Sequence, residues 1–215
     1  MMEYLQHETK RIVYRDIKPE NMVIHHSGHL KLIDFGFAKV LNPEQNFKTH
    51  TVCGTVEYQA PEMLLRKSYD ETVDWWSAGC LIYEIFNHKG PFHKRKTEFE
   101  IQQAILANQV DYRVLKNRYA RDLSRRCLTF DPAKRAGSNR LHVKRVKDHK
   151  LFLDISWLDH LNMRTFAPFK PAVQGPFDTS RFARYDESME NAAQALSKKD
   201  NRVWDQAIQE IRQSW

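Results

Sequence analysis

Cysteine is scarce in this sequence, and its spacing argues against two classes of protein. The chain of 215 residues has three cysteines, Cys53, Cys80 and Cys127, and no two of them form a C-x-x-C pair. Small disulfide frameworks and structural zinc sites need several closely spaced cysteines. We therefore interpret all three as reduced thiols.

Long hydrophobic runs are also missing. The most apolar stretch, residues 73–86, contains Asp74 and Glu84 and is shorter than the roughly 20 residues that a membrane-spanning helix needs. The first residues, MMEYLQHETKR, lack the apolar core and the small-residue cleavage site of a secretory signal. These absences predict a cytosolic or nuclear protein with no membrane-spanning helix.

The residues that are present are typical of a folded globular protein. Hydrophobic residues make up 41% of the chain and aromatic residues 12%, which is enough to build a core. The net charge of +7 is uneven, because residues 113–150 hold thirteen Lys or Arg against three Asp or Glu. Such an excess can attract nucleic acid or an acidic partner. No aromatic stacking platform is interleaved with it, so solvated helix surfaces are favoured and nucleic acid is not expected as a partner.

A short β-hairpin is predicted near the start of the chain. Two strand-like runs, residues 22–25 and 30–33, are joined by a turn in which Gly28 can supply a positive φ. Histidines at the turn are either metal ligands or a polar hairpin tip, and we favour the tip. They are His25, His26 and His29.

The middle of the chain is predicted to be mainly helical. Residues 72–87 are apolar on nearly every face, which indicates a helix buried on all sides. The pattern T-E-F-E at 97–100 is a capping box that opens a helix over 98–107. Further helices are predicted at 120–129 and 139–148. Residues 37–59 have few periodic apolar positions and are interpreted as a long functional loop.

The pattern loosens after Trp157. Residues 167–182 carry three Pro and one Gly, as in an extended tail. A final segment has an apolar helical face that we expect to dock against another surface. Its positions are Val203, Trp204, Ala207, Ile208 and Ile211.

The stretch IVYRDIKPENMVI at 12–24 places charged side chains between two apolar runs. Asp16 and Asn21 lie in it, and Asp34 follows the second predicted strand. Carboxylate and amide oxygens suit Mg²⁺, which is a hard ion. An ammonium such as Lys18 can stabilise an anionic phosphoryl group in transfer. A carboxylate such as Asp16 can orient a hydroxyl and accept its proton.

Four motifs in order carry a family resemblance. They are YRDIKPEN at 14–21, DFG at 34–36, APE at 60–62 and DWWSAG at 74–79. Together they resemble the C-terminal lobe of a eukaryotic protein kinase. The runs DFGFAK, CGTVEYQAPE and DTSRFARY are similar to the AGC group, especially the catalytic subunits of cAMP-dependent kinases. The resemblance covers roughly residues 3–185.

The resemblance implies a fold. We expect a mainly α (α+β) kinase C-terminal lobe over 1–155, with short β-hairpins at the cleft, followed by an extended AGC-type tail over 156–215. In this lobe the apolar ends of 12–24 anchor the loop, and the polar residues project into the cleft from a rigid base.

The resemblance also implies roles for residues of the cleft, with ATP and Mg²⁺ as co-substrates. Asp16 would be the catalytic base, Lys18 would contact the phosphoryl group, and Thr55 would bridge these two. Asn21 and Asp34 would hold the metal. Val23 and, from the tail, Phe182 would contact the adenine.

Other matched positions concern activation and support. Thr51 matches the activation-loop phosphorylation site, whose phosphate would be held by Arg15 and Lys39; the neighbouring Thr49 is the alternative. Three further positions match structural residues: Asp74 would brace the catalytic loop, and Glu62 would pair with Arg135 to pin the activation segment.

The resemblance implies a basic peptide as acceptor. Glu20, Glu57 and Glu84 match positions where related kinases bind substrate arginines, although each could instead be a solvated acid. Val52 and Val56 would form an apolar pocket beyond the target Ser or Thr. Gln59 replaces the usual apolar residue there, which weakens that preference.

Some family features are not found in the sequence. It contains no G-x-G-x-x-G loop and no lysine in a VAIK-like setting, the parts that cover and orient ATP. We therefore expect negligible phosphoryl transfer by these residues alone. The alternative is a non-catalytic module that competes for kinase substrates or regulators.

Control by a regulatory subunit is weakly supported by the sequence. His50 and Gln102 stand where the cAMP-dependent enzymes carry aromatic docking residues. The tail lacks a terminal F-x-x-F, and it has Ala183 and Arg184 in place of acidic residues.

Overall fold

A computed structural model of the chain describes residues 2–7, 9–175 and 178–182. The helices found there are α1 (Met2–Leu5), α2 (Pro61–Leu64), α3 (Thr72–Asn87), α4 (Glu98–Leu106), α5 (Arg118–Cys127), α6 (Arg140–Lys147) and α7 (Trp157–Leu161). The strands are β1 (Ile12–Val13), β2 (Met22–Ile24), β3 (Leu30–Leu32) and β4 (Lys39–Val40). This mainly helical content with a few short strands agrees with the expected fold class.

Helix α3 lies at the centre of the core, as its continuous apolar sequence predicts. Trp76 and Cys80 are fully buried, and Tyr83 is nearly so. Helix α5 packs closely against α3 because Gly79 has no side chain: a Cβ at this position would lie 2.7 Å from Cys127 Cβ. The hydroxyl of Ser124 on α5 donates to the Gly79 carbonyl at 3.1 Å, so the contact is also hydrogen-bonded.

Two antiparallel strand pairs flank the polar stretch at 14–21. β2 pairs with β3 in the predicted hairpin, and Gly28 adopts a φ of +86° in its turn. A Cβ on Gly28 would collide with Ala167, so glycine is required there for packing as well as for φ. The pairing of β1 with β4, in the register Ile12 with Val40, was not predicted from the sequence.

The helix starts are fixed by side-chain caps. Thr97 accepts from Glu100 N, and the Glu100 side chain returns to Thr97 N, which confirms the capping box of α4. Asn117 caps α5 by accepting from Tyr119 N and Ala120 N, so this helix begins two residues before the predicted start. Asn139 caps α6 in the same way.

The hairpin tip is polar. The hydroxyl of Ser27 lies 2.9 Å from His25 Nδ1 and 3.2 Å from His29 Nδ1. No group of three or more His, Cys, Asp or Glu suited to a metal ion occurs among the residues that the structure describes. Within the same residues, no helix is long and apolar enough to cross a membrane.

Contacts divide the chain into one unit ending at Pro171 and a second beginning at Ala172. The division between a lobe at 1–155 and a tail at 156–215 therefore stays a prediction. In the second unit, Arg181 Nε donates to the Ala172 carbonyl at 3.1 Å. The apolar face predicted at 203–211 lies outside the described residues.

Candidate active site

A buried carboxylate on α3 fixes the loop that carries Asp16 by accepting hydrogen bonds from the loop backbone. Asp74 is fully buried, and its two oxygens accept from the backbone N–H groups of Tyr14 and Arg15, each at 2.8 Å. Burial raises the pKa of Asp74 to about 7, while the two N–H groups oppose that shift. Arg15 adopts a φ of +72°, and Asp74 stabilises this left-handed backbone.

Asp16 is the centre of a hydrogen-bond network. The Lys18 ammonium lies 2.9 Å from Asp16 Oδ2 and donates to Thr55 Oγ1 at 2.7 Å. The Thr55 hydroxyl and backbone N–H both donate to Asp16 Oδ1, at 2.9 and 3.1 Å. Asn21 Nδ2 donates to Asp16 Oδ2 at 2.8 Å and to the Asp16 carbonyl at 2.9 Å.

These bonds set the ionisation of Asp16, whose exposed fraction is 3%. Burial raises its pKa, but hydrogen bonds from Lys18, Thr55 and Asn21 outweigh burial and hold the pKa below its ordinary value. Asp16 is therefore an ionised, oriented acceptor at neutral pH.

Asp34 is placed near this group by hydrogen bonds of its chain neighbour, Ile33. The N–H of Ile33 donates to the Asn21 carbonyl at 2.9 Å, and the Tyr14 hydroxyl donates to the Ile33 carbonyl. The Asp34 side chain is exposed, and its Oδ1 accepts from Gly36 N at 3.1 Å. Burial, together with the charges of Asp16 and Asp34, raises the pKa of Tyr14 to about 12.

The sequence therefore predicted the grouping of Asp16, Lys18 and Asn21, which are directly bonded, whereas Asp34 is positioned beside them by its chain neighbour. The donor set is compatible with Mg²⁺. Asn21 uses its amide nitrogen on Asp16, which leaves its amide oxygen as an acceptor, and Asp34 presents an exposed carboxylate.

The activation-segment threonines differ sharply in accessibility. Thr49 is buried in a backbone bridge to Tyr69, with N–O distances of 2.8 and 2.7 Å. Thr51 is exposed, and its carbonyl accepts from the Tyr69 hydroxyl. Lys39 donates to Thr49 Oγ1 at 3.0 Å and does not reach toward Thr51 in this arrangement.

Arg15, the other residue predicted to hold a phosphate on Thr51, lies on the same side of the segment. Its Nε donates to the Phe37 carbonyl at 2.6 Å, and its guanidinium donates to the Tyr69 hydroxyl at 3.3 Å. Tyr69 thus connects Arg15 to the backbone of Thr51. Sequence reasoning missed Tyr69, because no local pattern around it indicates this contact.

Tyr58 lies near acidic residues predicted to bind substrate. The Tyr58 hydroxyl donates to Glu84 Oε2, and Glu57 is its chain neighbour. Burial and the carboxylates of Glu84 and Glu20 raise the pKa of Tyr58 far above its ordinary value, so its proton stays on the hydroxyl. Glu57 and Glu84 line one cavity of about 240 Å³. Sequence reasoning did not identify the contact of Tyr58 with Glu84.

The two valines of the predicted apolar pocket lie in different environments. Val52 is 46% exposed, whereas Val56 packs against the main core. Gln59 is buried, and its Nε2 donates to the Cys53 carbonyl at 2.8 Å. The glutamine therefore supports the loop backbone, and the pocket stays a prediction.

The two residues predicted to contact adenine are placed as follows. Val23 lies in β2 opposite Lys31 and is half-buried. Phe182 is exposed and belongs to the second unit. Their role toward a nucleotide stays a prediction.

Glu62 and Arg135 form a buried ion pair. The two guanidinium nitrogens lie 2.6 and 2.9 Å from the two carboxylate oxygens. Arg135 is completely buried and also donates to the carbonyls of Thr72, at 3.0 Å, and Thr129, at 3.0 Å. The pair joins α2 to the start of α3 and to the segment that follows α5.

Comparison with known proteins agrees with this geometry. The model of the protein kinase domain matches residues 1–152. The chain is 42% identical over 176 residues to a "cAMP-dependent protein kinase, catalytic subunit-like" protein of Caenorhabditis elegans, covering 82% of this chain and 43% of that protein. It is 37% identical over 203 residues to the human "cAMP-dependent protein kinase catalytic subunit PRKX", covering 94% and 55%.

A third relative, "cAMP-dependent protein kinase type 3" of Saccharomyces cerevisiae, is 38% identical over 187 residues, which cover 86% of this chain and 45% of the yeast protein. The chain thus spans about half the length of the curated relatives that it matches. With the matching domain and the bonded Asp16 network, these similarities show that the chain belongs to the protein kinase family, in the AGC group with the cAMP-dependent serine/threonine kinases.

Proposed function

We propose that this chain provides the catalytic lobe for transfer of the γ-phosphoryl group of ATP to Ser or Thr of basic peptides. The observation that carries the proposal is the Asp16 carboxylate, which is buried, ionised and oriented by Lys18, Thr55 and Asn21. A carboxylate held in this way can align an acceptor hydroxyl and take its proton.

Each neighbour has a distinct task in this proposal. Lys18 bonds to both Asp16 and Thr55, so its ammonium is fixed where it can stabilise negative charge on the transferring group. Thr55 fixes the Asp16 oxygen that does not bond to Lys18. Bound Mg²⁺ and ATP would supply the phosphoryl group and neutralise its charge. Asn21 and Asp34 would hold the metal through their side-chain oxygens.

Activation is proposed to act through Thr51. Its exposure makes it available for phosphorylation, whereas Thr49 is buried in a bridge. A phosphate on Thr51 would lie near Arg15 and would draw its guanidinium away from the Tyr69 hydroxyl. Lys39 donates to the nearby Thr49 and has further N–H donors that could bind the same phosphate.

Acceptor preference is proposed to arise from Glu20, Glu57 and Glu84. Glu57 and Glu84 line one cavity with Tyr58, and the charge of Glu20 also acts on Tyr58, so a substrate arginine would meet more than one negative charge. The acceptor groove therefore favours basic peptides. The cytosolic or nuclear location stays a prediction.

A second candidate function is a binding module that competes with other kinases for substrates or regulators. One observation favours it: Glu57, Tyr58 and Glu84 form their cavity entirely within the described lobe, so peptide capture does not require the parts that cover ATP. In the absence of these parts we expect binding without appreciable transfer.

The proposal is tested by magnesium-dependent ATP binding to the purified chain, measured by calorimetry. Asp34→Asn removes a charge that the metal needs, and Asp154→Asn is the matched control at an exposed carboxylate. We expect weaker binding for Asp34→Asn alone. Equal binding by all three proteins would contradict the catalytic proposal and favour the binding module. Transfer to a basic peptide that depends on Asp16 would show that the lobe is active by itself.

A further inference from the structure

A basic loop follows α3 beside the acceptor groove. Residues 88–96, HKGPFHKRK, contain four Lys or Arg and two His but no Asp or Glu. We call these residues the basic loop. The charged side chains that it presents are exposed: they are Lys89, His93, Lys94, Arg95 and Lys96. The proposed function does not use them.

The basic loop is held rigidly by its own hydrophobic anchor. Phe92 is 3% exposed, and its ring stacks on Trp76 of α3 at a centroid distance of 6.5 Å. His93 Nδ1 lies 2.7 Å from the Gly90 carbonyl, and the Arg95 guanidinium donates to Gln109 Oε1 at 2.6 Å. Charges on an anchored loop lose little conformational freedom when they bind a ligand, so this loop is suited to recognition.

The same cavity carries both signs of charge. It is lined by Glu57, Tyr58 and Glu84 and also by residues of the basic loop that include Lys89 and His93. Its volume is about 240 Å³. Within the described residues, the ion pairs do not include Lys89, so its ammonium is available to a ligand.

A peptide with arginines alone would therefore be attracted by the carboxylates of the cavity and repelled by its basic residues. A peptide that also carries a carboxylate would match both signs of charge, because opposite charges at fixed positions favour a matching partner and disfavour others.

From this arrangement we propose that Lys89 and the basic loop select acceptor peptides that carry an acidic residue in addition to the arginine bound by Glu57 and Glu84. The inference rests on the proposed peptide-binding function and narrows its substrate class. It makes Lys89 a specificity-determining residue for the same groove.

The test uses fluorescence anisotropy with the full chain and labelled peptides of equal length. The reference peptide has arginines before a single serine and otherwise neutral residues. A series then places one Glu at each remaining position, and a matched series places Gln there. Proteins are the wild type, Lys89→Glu, and Lys150→Glu, which makes the same charge change at an exposed position lining a different cavity.

For the wild type we expect Glu at one or two positions to tighten binding by about two- to fivefold over Gln, the range of a partly exposed ion pair. The gain should shrink as salt is raised. Lys89→Glu should lose the gain and bind the reference peptide more tightly, because it adds a carboxylate to the cavity that Glu57 and Glu84 line. Lys150→Glu should behave as the wild type.

Two outcomes would contradict the proposals in different ways. If the wild type binds the reference peptide but Glu gives no gain over Gln at any position, the selection of acidic residues is wrong and the basic-peptide function stands. If the reference peptide does not bind to the wild type, the basic-peptide function itself is wrong.

Discussion

At the scale of single residues, the ionisation of Asp16 decides what the site can do. A general base must be unprotonated at the working pH and must point at the proton it takes. Burial alone would favour the neutral acid, but three donors reverse that effect. Lys18, Thr55 and Asn21 therefore contribute both the orientation and the charge of the base.

The lowered pKa of Asp16 predicts a pH-dependent part of the folding free energy. The carboxylate stabilises the folded state at pH values above its ordinary pKa, and this stabilisation is lost as the pH falls through the lower pKa of the folded state. The free energy of unfolding of Asp16→Asn should thus fall less steeply than that of the wild type below about pH 4. Urea denaturation between about pH 2 and pH 6 measures both slopes.

Asp154→Asn is the control for this measurement, because it removes an exposed carboxylate. It should keep the wild-type slope. Parallel curves for the wild type and Asp16→Asn would mean that the three hydrogen bonds do not hold the folded carboxylate in its charged form.

At the scale of secondary-structure elements, Arg135 connects three segments that are distant in sequence. It binds Glu62 of α2 with both guanidinium nitrogens and donates to the carbonyl of Thr72 at the start of α3. A protein with such a buried pair is often no more stable than one with apolar residues at both positions. Removing only one partner is costly, because it leaves a buried charge unpaired. The pair therefore fixes the position of α2 and of the segment before it.

The structure predicts a strong coupling between Glu62 and Arg135. Arg135→Met should lower the free energy of unfolding by about 3–5 kcal/mol, because Glu62 is left buried without a counter-ion. The double variant Glu62→Leu, Arg135→Met should cost less than the sum of the single variants. Urea titrations of the four proteins measure the cycle.

Arg113→Met provides the comparison, because Arg113 pairs with Asp111 at 2.9 Å while its side chain is 91% exposed. This pair should contribute far less to stability than the buried one, because water and salt screen exposed charges. A cost for Arg135→Met no larger than that for Arg113→Met would contradict the structural role of the buried pair.

How far the sequence predicts these elements depends on whether their signals are local. The ends of α3 and the capping box of α4 are determined by residues that are adjacent in sequence, and both were predicted. The pairing of β1 with β4 joins two-residue strands across the chain, and nothing near Ile12 or Val40 indicates it. Tyr58 contacts Glu84 over a similar distance in sequence.

For the candidate site, too, the sequence predicts only what local signals indicate. Motifs identified Asp16, Lys18, Asn21 and Thr55, and the structure joins these side chains by hydrogen bonds, while their roles stay predictions. The motifs did not indicate that Lys39 donates a hydrogen bond to Thr49 or that Gln59 donates one to the Cys53 carbonyl. These contacts depend on packing between segments, which a motif does not encode.

At the scale of the whole molecule, the net charge of +7 is concentrated in the basic segment 113–150, where some of the basic residues have counter-ions nearby. Asp122 accepts from Arg126 and contacts His149, each at 2.9 Å. Lys134 lies 3.6 Å from Asp131, and Lys147 lies 2.9 Å from Glu3. These acidic and basic neighbours interrupt the positive charge of the segment at several points on its helix surfaces.

This distribution predicts how the chain responds to nucleic acid. Because counter-ions interrupt the basic segment, we expect affinity for duplex DNA to come from separate phosphate contacts and to fall steeply with salt. We expect binding of a labelled duplex to be detectable only at low ionic strength and to be lost by about 0.15 M salt. Anisotropy titrations over a salt series measure this, with the reference peptide as a parallel ligand whose binding depends on Glu57 and Glu84. Duplex binding that persists at about 0.15 M salt would show that the basic segment acts as one surface, because scattered phosphate contacts would be screened there.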